Sequence, residues 1–516
     1  MFREALKASM QINVDRFAIC NGDINITYGE LNKLASKVAN HLLTIIKDKV
    51  WNVKKDSCGL LLDQDEFGLI GIISCVFSGI TYVPIDNVYP LTRIEYMIDN
   101  VDVGLLLTNT KNLPLAQKVK ESVSRELILM NIDDIINNAD CLYASEPLLN
   151  HQIYYLYTSG STGRPKAILQ KGESVEYFAR SYIKYLNIQP TDRMTLFSTY
   201  GHDAAVVDIF SALLSGACLY PIDLRNTRNI LGLYQWLQRN QITVWHSVPS
   251  FYRKFWSLVP IKEINLCIRV FVLGGEKVRK NDFILFRERF DASSTLLYNL
   301  YGQTESTYTA GRFIINETDS EIFGTPISGT EVIISCDTGS YIKIDCSGSI
   351  QSFWSETLDC YKLEKGEILV KSPYIVSDYI NESELSEKSF INTGDLGRLY
   401  RTGDLLEFQS SDKLKIIGRN DSQVKVNGYR VELAEIENQI LTMEGIKDCA
   451  VVAKEENNKT DLYAFIISDC EYTLVYVNNI LRQSLPDYML LFSVKRLKEF
   501  PITVTGKVNR SMLKML

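Results

Sequence analysis

Apolar and polar positions along this chain alternate between two registers. Residues 26–46 open with Ile-Thr-Tyr-Gly-Glu-Leu-Asn, and Glu30 follows Thr27 by three residues, the spacing of a capping box ahead of an apolar run of period 3.6. Short apolar runs at 58–62, 103–108 and 269–273 have the length and composition of strands buried on both faces. Helical patterns at 92–100 and 230–240 lie between such runs. This alternation predicts an α/β architecture with parallel sheets. Between 312 and 420 the pattern changes to strand-like pieces and turns, at 331–335, 342–344 and 367–371, and predicts a β-rich subdomain. A new unit opens at 421: a strand, a helix at 433–442, strands at 449–454 and 461–467, and a helix at 473–485. The expected division is a large N-terminal domain, 1–420, of parallel α/β subdomains plus the β-rich subdomain, followed by a small α+β C-terminal domain, 421–516.

Composition narrows the class. The 516 residues are 46% hydrophobic and 23% charged, which suits a globular protein with a large core. The net charge is −7 and no basic stripe is present, so a nucleic-acid partner is not expected. Eleven cysteines without paired spacing read as reduced thiols of a cytoplasmic protein. The four histidines, at 41, 151, 202 and 246, do not pair as metal ligands. The first residues lack a signal-peptide core, and the longest apolar run, 68–80, is too short to span a membrane. No solenoid repeat or low-complexity tract occurs.

The densest chemistry lies at 157–166, Tyr-Thr-Ser-Gly-Ser-Thr-Gly-Arg-Pro-Lys. Glycines let the backbone approach a ligand closely, and successive N–H groups in such a turn form an anion nest. Thr158, Ser159, Ser161 and Thr162 add hydroxyls around Gly160 and Gly163, and Lys166 adds a point charge. A polyphosphate fits this set; a flexible Gly/Ser linker is the alternative. It is not a Walker A loop, since no Gly-Lys-Ser/Thr follows the second glycine.

The stretch resembles the phosphate loop of acyl- and aminoacyl-adenylate-forming enzymes. These comprise acyl-CoA synthetases, luciferases and the adenylation domains of nonribosomal peptide synthetases. Seven segments, spanning roughly residues 20–512, resemble the family's motifs in the family's order. Ile26-Thr-Tyr-Gly-Glu-Leu-Asn32 and Tyr82-Val-Pro-Ile-Asp86 resemble its packing signatures. Asn299-Leu-Tyr-Gly-Gln-Thr-Glu305 resembles the segment in which Asn299 and Tyr301 would hold adenine, Thr304 the α-phosphate and Glu305 Mg²⁺. Gln303 stands where the family usually has proline, a departure expected to matter little. Arg401-Thr-Gly-Asp404 resembles the ribose motif. A second Thr-Gly-Asp ends at Asp395, but Asp404 has the family's fifteen-residue spacing to Arg419, which would also touch ribose. In the segment that follows, Asp421 would be the hinge of a mobile small domain. Residues 501–510 resemble the final motif, whose Lys507 would be catalytic, bound to substrate carboxylate and α-phosphate.

The family divides by the acid it activates. Tyr200-Gly-His-Asp-Ala-Ala-Val-Val-Asp-Ile-Phe210 resembles the segment bearing the amino-group ligand of peptide-synthetase adenylation domains, here Asp203, with His202 where phenylalanine is usual. A helix N-cap is the plainer role for Asp203. The resemblance implies a side-chain pocket of Ala204, Val207, His246, Val272, Gly274, Leu300, Tyr308 and Thr309, closed by Lys507. That set holds no acid beyond Asp203, so a cationic side chain is disfavoured; a hydroxyl, amide or carboxylate suits it. The implied activity is formation of aminoacyl-AMP and pyrophosphate from an amino acid and ATP with Mg²⁺. Transfer to the phosphopantetheine thiol of a carrier protein, in cis or trans, would follow. No carrier, condensation or thioesterase motif follows Arg510, so a free-standing enzyme and an excised domain both stay open. An acyl- or aryl-CoA ligase is the alternative activity, and an inactive nucleotide-binding scaffold a remoter one.

Overall fold

The computed structural model of the chain describes residues 2–47, 57–138, 147–160, 164–225, 229–260, 266–336, 341–348, 350–353, 365–394, 396–410, 413–421, 423–456, 459–502 and 508–516. These form two units. One comprises Met1–Asn87, Ile98–Leu156 and Ala167–Asn420; the other comprises Val88–Met97, Tyr157–Lys166 and Asp421–Leu516.

The first unit is built on three sheets. A nine-stranded sheet runs in the order Thr325–Pro326, Ala310–Phe313, Leu296–Tyr301, Val270–Gly274, Val244–Ser247, Arg193–Leu196, Cys218–Pro221, Phe17–Asn21, Ile24–Thr27. Its central neighbours pair in parallel, and antiparallel strands close both edges. The expected strand at 269–273 is Val270–Gly274, fully buried. A six-stranded sheet carries Ser57–Leu61 between Thr81–Pro84 and Val103–Thr108, both in parallel. The third sheet, from Glu331–Cys336 to Lys413–Arg419, is antiparallel and is the expected β-rich region.

Local chemistry starts the helices. The Thr27 N–H donates to the Glu30 carboxylate at 2.8 Å and the Glu30 N–H to Thr27 Oγ1 at 3.2 Å, a reciprocal capping box opening the helix Tyr28–Lys47. The long apolar run is the helix Glu66–Ser78. Asp65 caps it by accepting from the Phe67 and Gly68 N–H groups, and Gly79 closes it in the left-handed region at φ 76°. A helix apolar on all sides belongs in a core.

This architecture sets side chains on one face of the nine-stranded sheet. His246, Val272 and Tyr298 are cross-strand neighbours in register on Val244–Ser247, Val270–Gly274 and Leu296–Tyr301. Trp245 and Phe271, one residue away, point to the other face and join a separate aromatic core. Backbone approach limits that side too: a Cβ on Gly311 would sit 2.0 Å from Tyr298 Oη.

In the second unit, Gln423–Val426 and Tyr429–Glu432 form a hairpin. Its two-residue turn is Asn427 at φ 50° and Gly428 at φ 84°, the pair that a type I′ turn requires. The helix Leu433–Leu441 packs Ile436 and Ile440 with Val451, Leu462 and Val477 in one core. Arg93 and Glu435 pair at 2.9 Å with 4% and 1% of their side chains exposed.

Tyr298 has no room to yield to a methyl at position 311. Gly311→Ala is expected to cost about 1–3 kcal/mol by overpacking. A lower urea midpoint and a changed near-ultraviolet tyrosine signal would register it; an unchanged midpoint would contradict the steric account.

Candidate active site

In the first unit the chemistry gathers on the turn after Leu296–Tyr301. A Cβ on Gly302 would stand 2.1 Å from the Thr307 carbonyl oxygen, so only glycine fits there. Thr307 holds φ 50°, a costly conformation for a β-branched residue. The turn buries Glu305 completely, and the Tyr379 hydroxyl donates to its carboxylate at 2.6 Å. Thr304 and Asn299 are half-buried.

Asp404, 8% exposed, accepts from three side chains. The Tyr301 hydroxyl donates at 2.7 Å, Gln303 Nε2 at 2.9 Å and Arg419 at 2.6 Å. Burial and the Asp404 charge push the Tyr301 phenol well above its ordinary pKa, so it stays a donor. Gln303, where the family usually has proline, thus takes part in holding Asp404. Its Oε1 accepts from the Ser306 hydroxyl at 3.1 Å, and Ser306 meets the Thr309 hydroxyl at 2.8 Å. A continuous buried chain runs Thr309–Ser306–Gln303–Asp404. Asp395 lies outside the described residues.

The residues of the expected side-chain pocket also belong to this unit. Asp203 is the first residue of the helix Asp203–Ser215; the cap position is His202, so the N-cap role does not apply. Asp203 is half-buried, and its carboxylate accepts from the Ala204 N–H at 2.8 Å. Ala204 is half-buried and Val207 3% exposed on the same helix. Val272, Tyr308 and Thr309 are fully buried, Gly274 is buried, and Leu300 is half-buried. A Cβ on Gly274 would come within 3.3 Å of the Leu300 carbonyl oxygen. The Tyr308 and Tyr298 hydroxyls bond at 2.5 Å. Outside that set, His246 Nδ1 lies 2.8 and 3.0 Å from the two carboxylate oxygens of Asp208, which is 1% exposed.

The described part of the phosphate loop belongs to the second unit. A Cβ on Gly160 would stand 1.9 Å from the Arg164 carbonyl oxygen, so the turn demands glycine. The Ser159 hydroxyl donates to the Arg430 carbonyl at 2.8 Å and accepts from the Glu432 N–H at 3.0 Å. The Gly160 N–H faces the Glu435 carboxylate at 3.4 Å, an anion at a donor of the nest. Thr158 Oγ1 is buried with no hydrogen-bond partner among the described residues, as a loop built to meet a ligand would leave it. Lys166 is 3% exposed, and its charge offsets the burial that raises the Glu432 pKa. Asp421 is exposed and accepts from the Gln423 N–H at 3.1 Å. Ser161, Thr162, Gly163 and Lys507 lie outside the described residues.

Residues 6–380 match the model of the AMP-binding enzyme family, and 435–507 match that of the AMP-binding enzyme C-terminal domain. The chain belongs to this family. Gramicidin S synthase 2 of Aneurinibacillus migulanus is 29% identical over 506 residues, which cover 97% of this chain and 11% of that protein. Bacitracin synthase 3 of Bacillus licheniformis is 28% identical over 97% of this chain and 7% of its own length. The chain thus spans a small part of these curated relatives. Two solved structures share the fold of this AMP-binding enzyme. The Vibrio cholerae adenylation domain AlmE, in complex with glycyl-adenosine-5'-phosphate, superposes with TM-score 0.80 at 20% identity, covering 100% of this chain and 97% of that one. An o-succinylbenzoate CoA synthetase from Bacillus subtilis does so with TM-score 0.81 at 19% identity, covering 99% and 98%.

Two participants escaped the motif reading, Gln303 and Asp208. A signal existed for the second: Asp208 is the lone charge in the run 204–214, whose other residues are apolar except Ser211, and an unpaired carboxylate there would be costly. Gln303 carried no comparable signal, because its partner is a hundred residues away.

Asp404→Ala would remove the carboxylate that Arg419 meets and, with it, the acceptor that the ribose motif implies. The KM for ATP is expected to rise at least tenfold, with Asp395→Ala changing it much less. Gln303→Ala is expected to raise it by a few-fold, since Tyr301 and Arg419 still hold the carboxylate. Steady-state kinetics against ATP give the ranking, and an Asp395 effect larger than that of Asp404 would overturn the ribose assignment.

Proposed function

We propose that this AMP-binding enzyme activates an α-amino acid as aminoacyl-AMP and passes it to the phosphopantetheine thiol of a carrier protein. The substrate carboxylate oxygen attacks the α-phosphorus of ATP. The bond to the bridging oxygen of the β-phosphate breaks, and pyrophosphate leaves. In the second step the thiol attacks the acyl carbon, AMP leaves, and the thiol proton is released.

Asp404 and Arg419 take the ribose, Asn299 and Tyr301 the adenine, and Thr304 the α-phosphate. The loop Thr158, Ser159, Gly160, Ser161, Thr162, Gly163 and Lys166 cradles the phosphates, and the orphaned Thr158 hydroxyl supports that role. Glu305 suits Mg²⁺: a cation held mainly by phosphate and water needs only one or two carboxylates. Bound there, the ion would offset charge on the phosphates. Lys507 adds a positive charge at the α-phosphate. Asp421 is the hinge, and the division of the chain between Asn420 and Asp421 supports it. The reaction suits a cytoplasmic protein, where ATP and reduced carriers are found.

The observation that carries the amino-acid reading is Asp203, a half-buried carboxylate opening the helix that also presents Ala204 and Val207. An α-ammonium group is its natural partner. The match of 97% of the chain to peptide synthases points the same way. A CoA ligase for a plain acid has no use for this carboxylate.

Removing one member of a desolvated ion pair costs about 3–5 kcal/mol. Asp203→Ala should therefore lower kcat/KM for the cognate amino acid by roughly two to three decades in ATP–pyrophosphate exchange. The des-amino analogue should lose far less. A wild-type enzyme that uses the analogue as well as the amino acid would replace this reading with the CoA-ligase one. Lys507→Ala should cut adenylate formation by about two decades or more while sparing thioester formation from supplied adenylate. Equal loss of both half-reactions would remove the two-state role of the small domain.

A further inference from the structure

One short segment, residues 376–380, grips Glu305 twice. The Val376 N–H donates to the Glu305 main-chain carbonyl at 3.0 Å. The Tyr379 hydroxyl donates to Glu305 Oε1 at 2.6 Å. The first bond fixes the Glu305 backbone and the second its carboxylate. Glu305 is 0% exposed and Tyr379 3% exposed, so both bonds are shielded from water.

The segment is itself held in place. The Tyr379 N–H donates to Ser386 Oγ at 2.9 Å. The Ile380 N–H donates to the Ala167 carbonyl at 2.9 Å, and Tyr379 forms a β-bridge with Ile168. Ala167 and Ile168 lie on the strand Lys166–Lys171, which follows the phosphate loop in the chain. The Phe390 ring stands 5.3 Å from the phenol ring. A fixed frame thus delivers the hydroxyl to the carboxylate. Volume alone does not call for this pair, because apolar groups of the same shape would fill a core at no desolvation cost. A carboxylate kept here despite that cost points to a ligand that needs it.

We infer that Tyr379 positions the Glu305 carboxylate for Mg²⁺. The inference rests on the assignment of Glu305 to the ion made above and deepens it. A carboxylate has acceptor positions for a phenol and a cation together. Bound to a cation it is ionised, so the phenol is the donor in that bond whatever state the carboxyl takes alone. Mg²⁺ demands near-octahedral geometry, which a carboxylate set in one orientation meets more readily than a rotating one. Groups that hydrogen-bond a metal's ligands change its affinity by about 10–100-fold when lost. Tyr379 is a positioning residue, acting through Glu305.

The test reads binding rather than turnover. The full chain is titrated calorimetrically with α,β-methylene-ATP, which cannot release pyrophosphate, once in excess EDTA and once in saturating Mg²⁺. The ratio of the two Kd values measures what the metal adds. Wild type is expected to bind more tightly with Mg²⁺. Tyr379→Phe should cut that ratio by about tenfold or abolish it, while its Kd in EDTA stays close to wild type. Glu305→Gln should cut the ratio at least as far. Adding Tyr379→Phe to Glu305→Gln should cost nothing further, because the phenol acts only through that carboxylate. An unchanged ratio in Tyr379→Phe beside a reduced one in Glu305→Gln would overturn the inference and leave the metal assignment standing. So would additive losses in the double variant. So would a Tyr379→Phe protein that melts well below wild type and loses affinity equally with and without Mg²⁺, the mark of a structural role. No Mg²⁺ effect in wild type, or an unchanged ratio in Glu305→Gln, would overturn both.

Discussion

The buried carboxylate of Asp404 constrains the region assigned here to the nucleotide more than any other group. It lies on the strand Gly397–Ser410, which pairs with Lys413–Arg419. An anion so enclosed must be met by donors. Arg419 meets it from the adjoining strand, Tyr301 and Gln303 from the end of the nine-stranded sheet. The three bonds tie the β-rich sheet to the turn that buries Glu305. Ser306 and Thr309 continue the chain toward the pocket residues, so the groups assigned to ribose and to the amino acid share one hydrogen-bonded network.

The same rule shapes the pocket. Asp208 is enclosed, and His246 answers it. At Asp404 three donors converge on the acid. At Asp208 the acid is met within the pair by the His246 imidazole.

Much of this was legible from the order of residues. Parallel strands declared themselves as short apolar runs, and the Thr27–Glu30 spacing marked its helix start correctly. The β-rich region at 312–420 and the strands of the last segment lie where turns and period-two runs place them. The motifs located the turn 302–307 and Asp404 because their chemistry is local. What escaped was non-local. Gln303 looked inert because its meaning comes from a carboxylate on another sheet, and Asp208 because a partner on a separate strand makes it tolerable.

The account's central claim is that the substrate is recognised through its amine. The most direct measurement is a competition: the full chain with ATP, a carrier protein bearing phosphopantetheine, and an equimolar mixture of amino acids and their des-amino counterparts, with products identified by mass. The account predicts an aminoacyl-AMP and an aminoacyl thioester on the carrier. Des-amino acyl products alone, or acyl-CoA formed in preference when CoA is added, would contradict it.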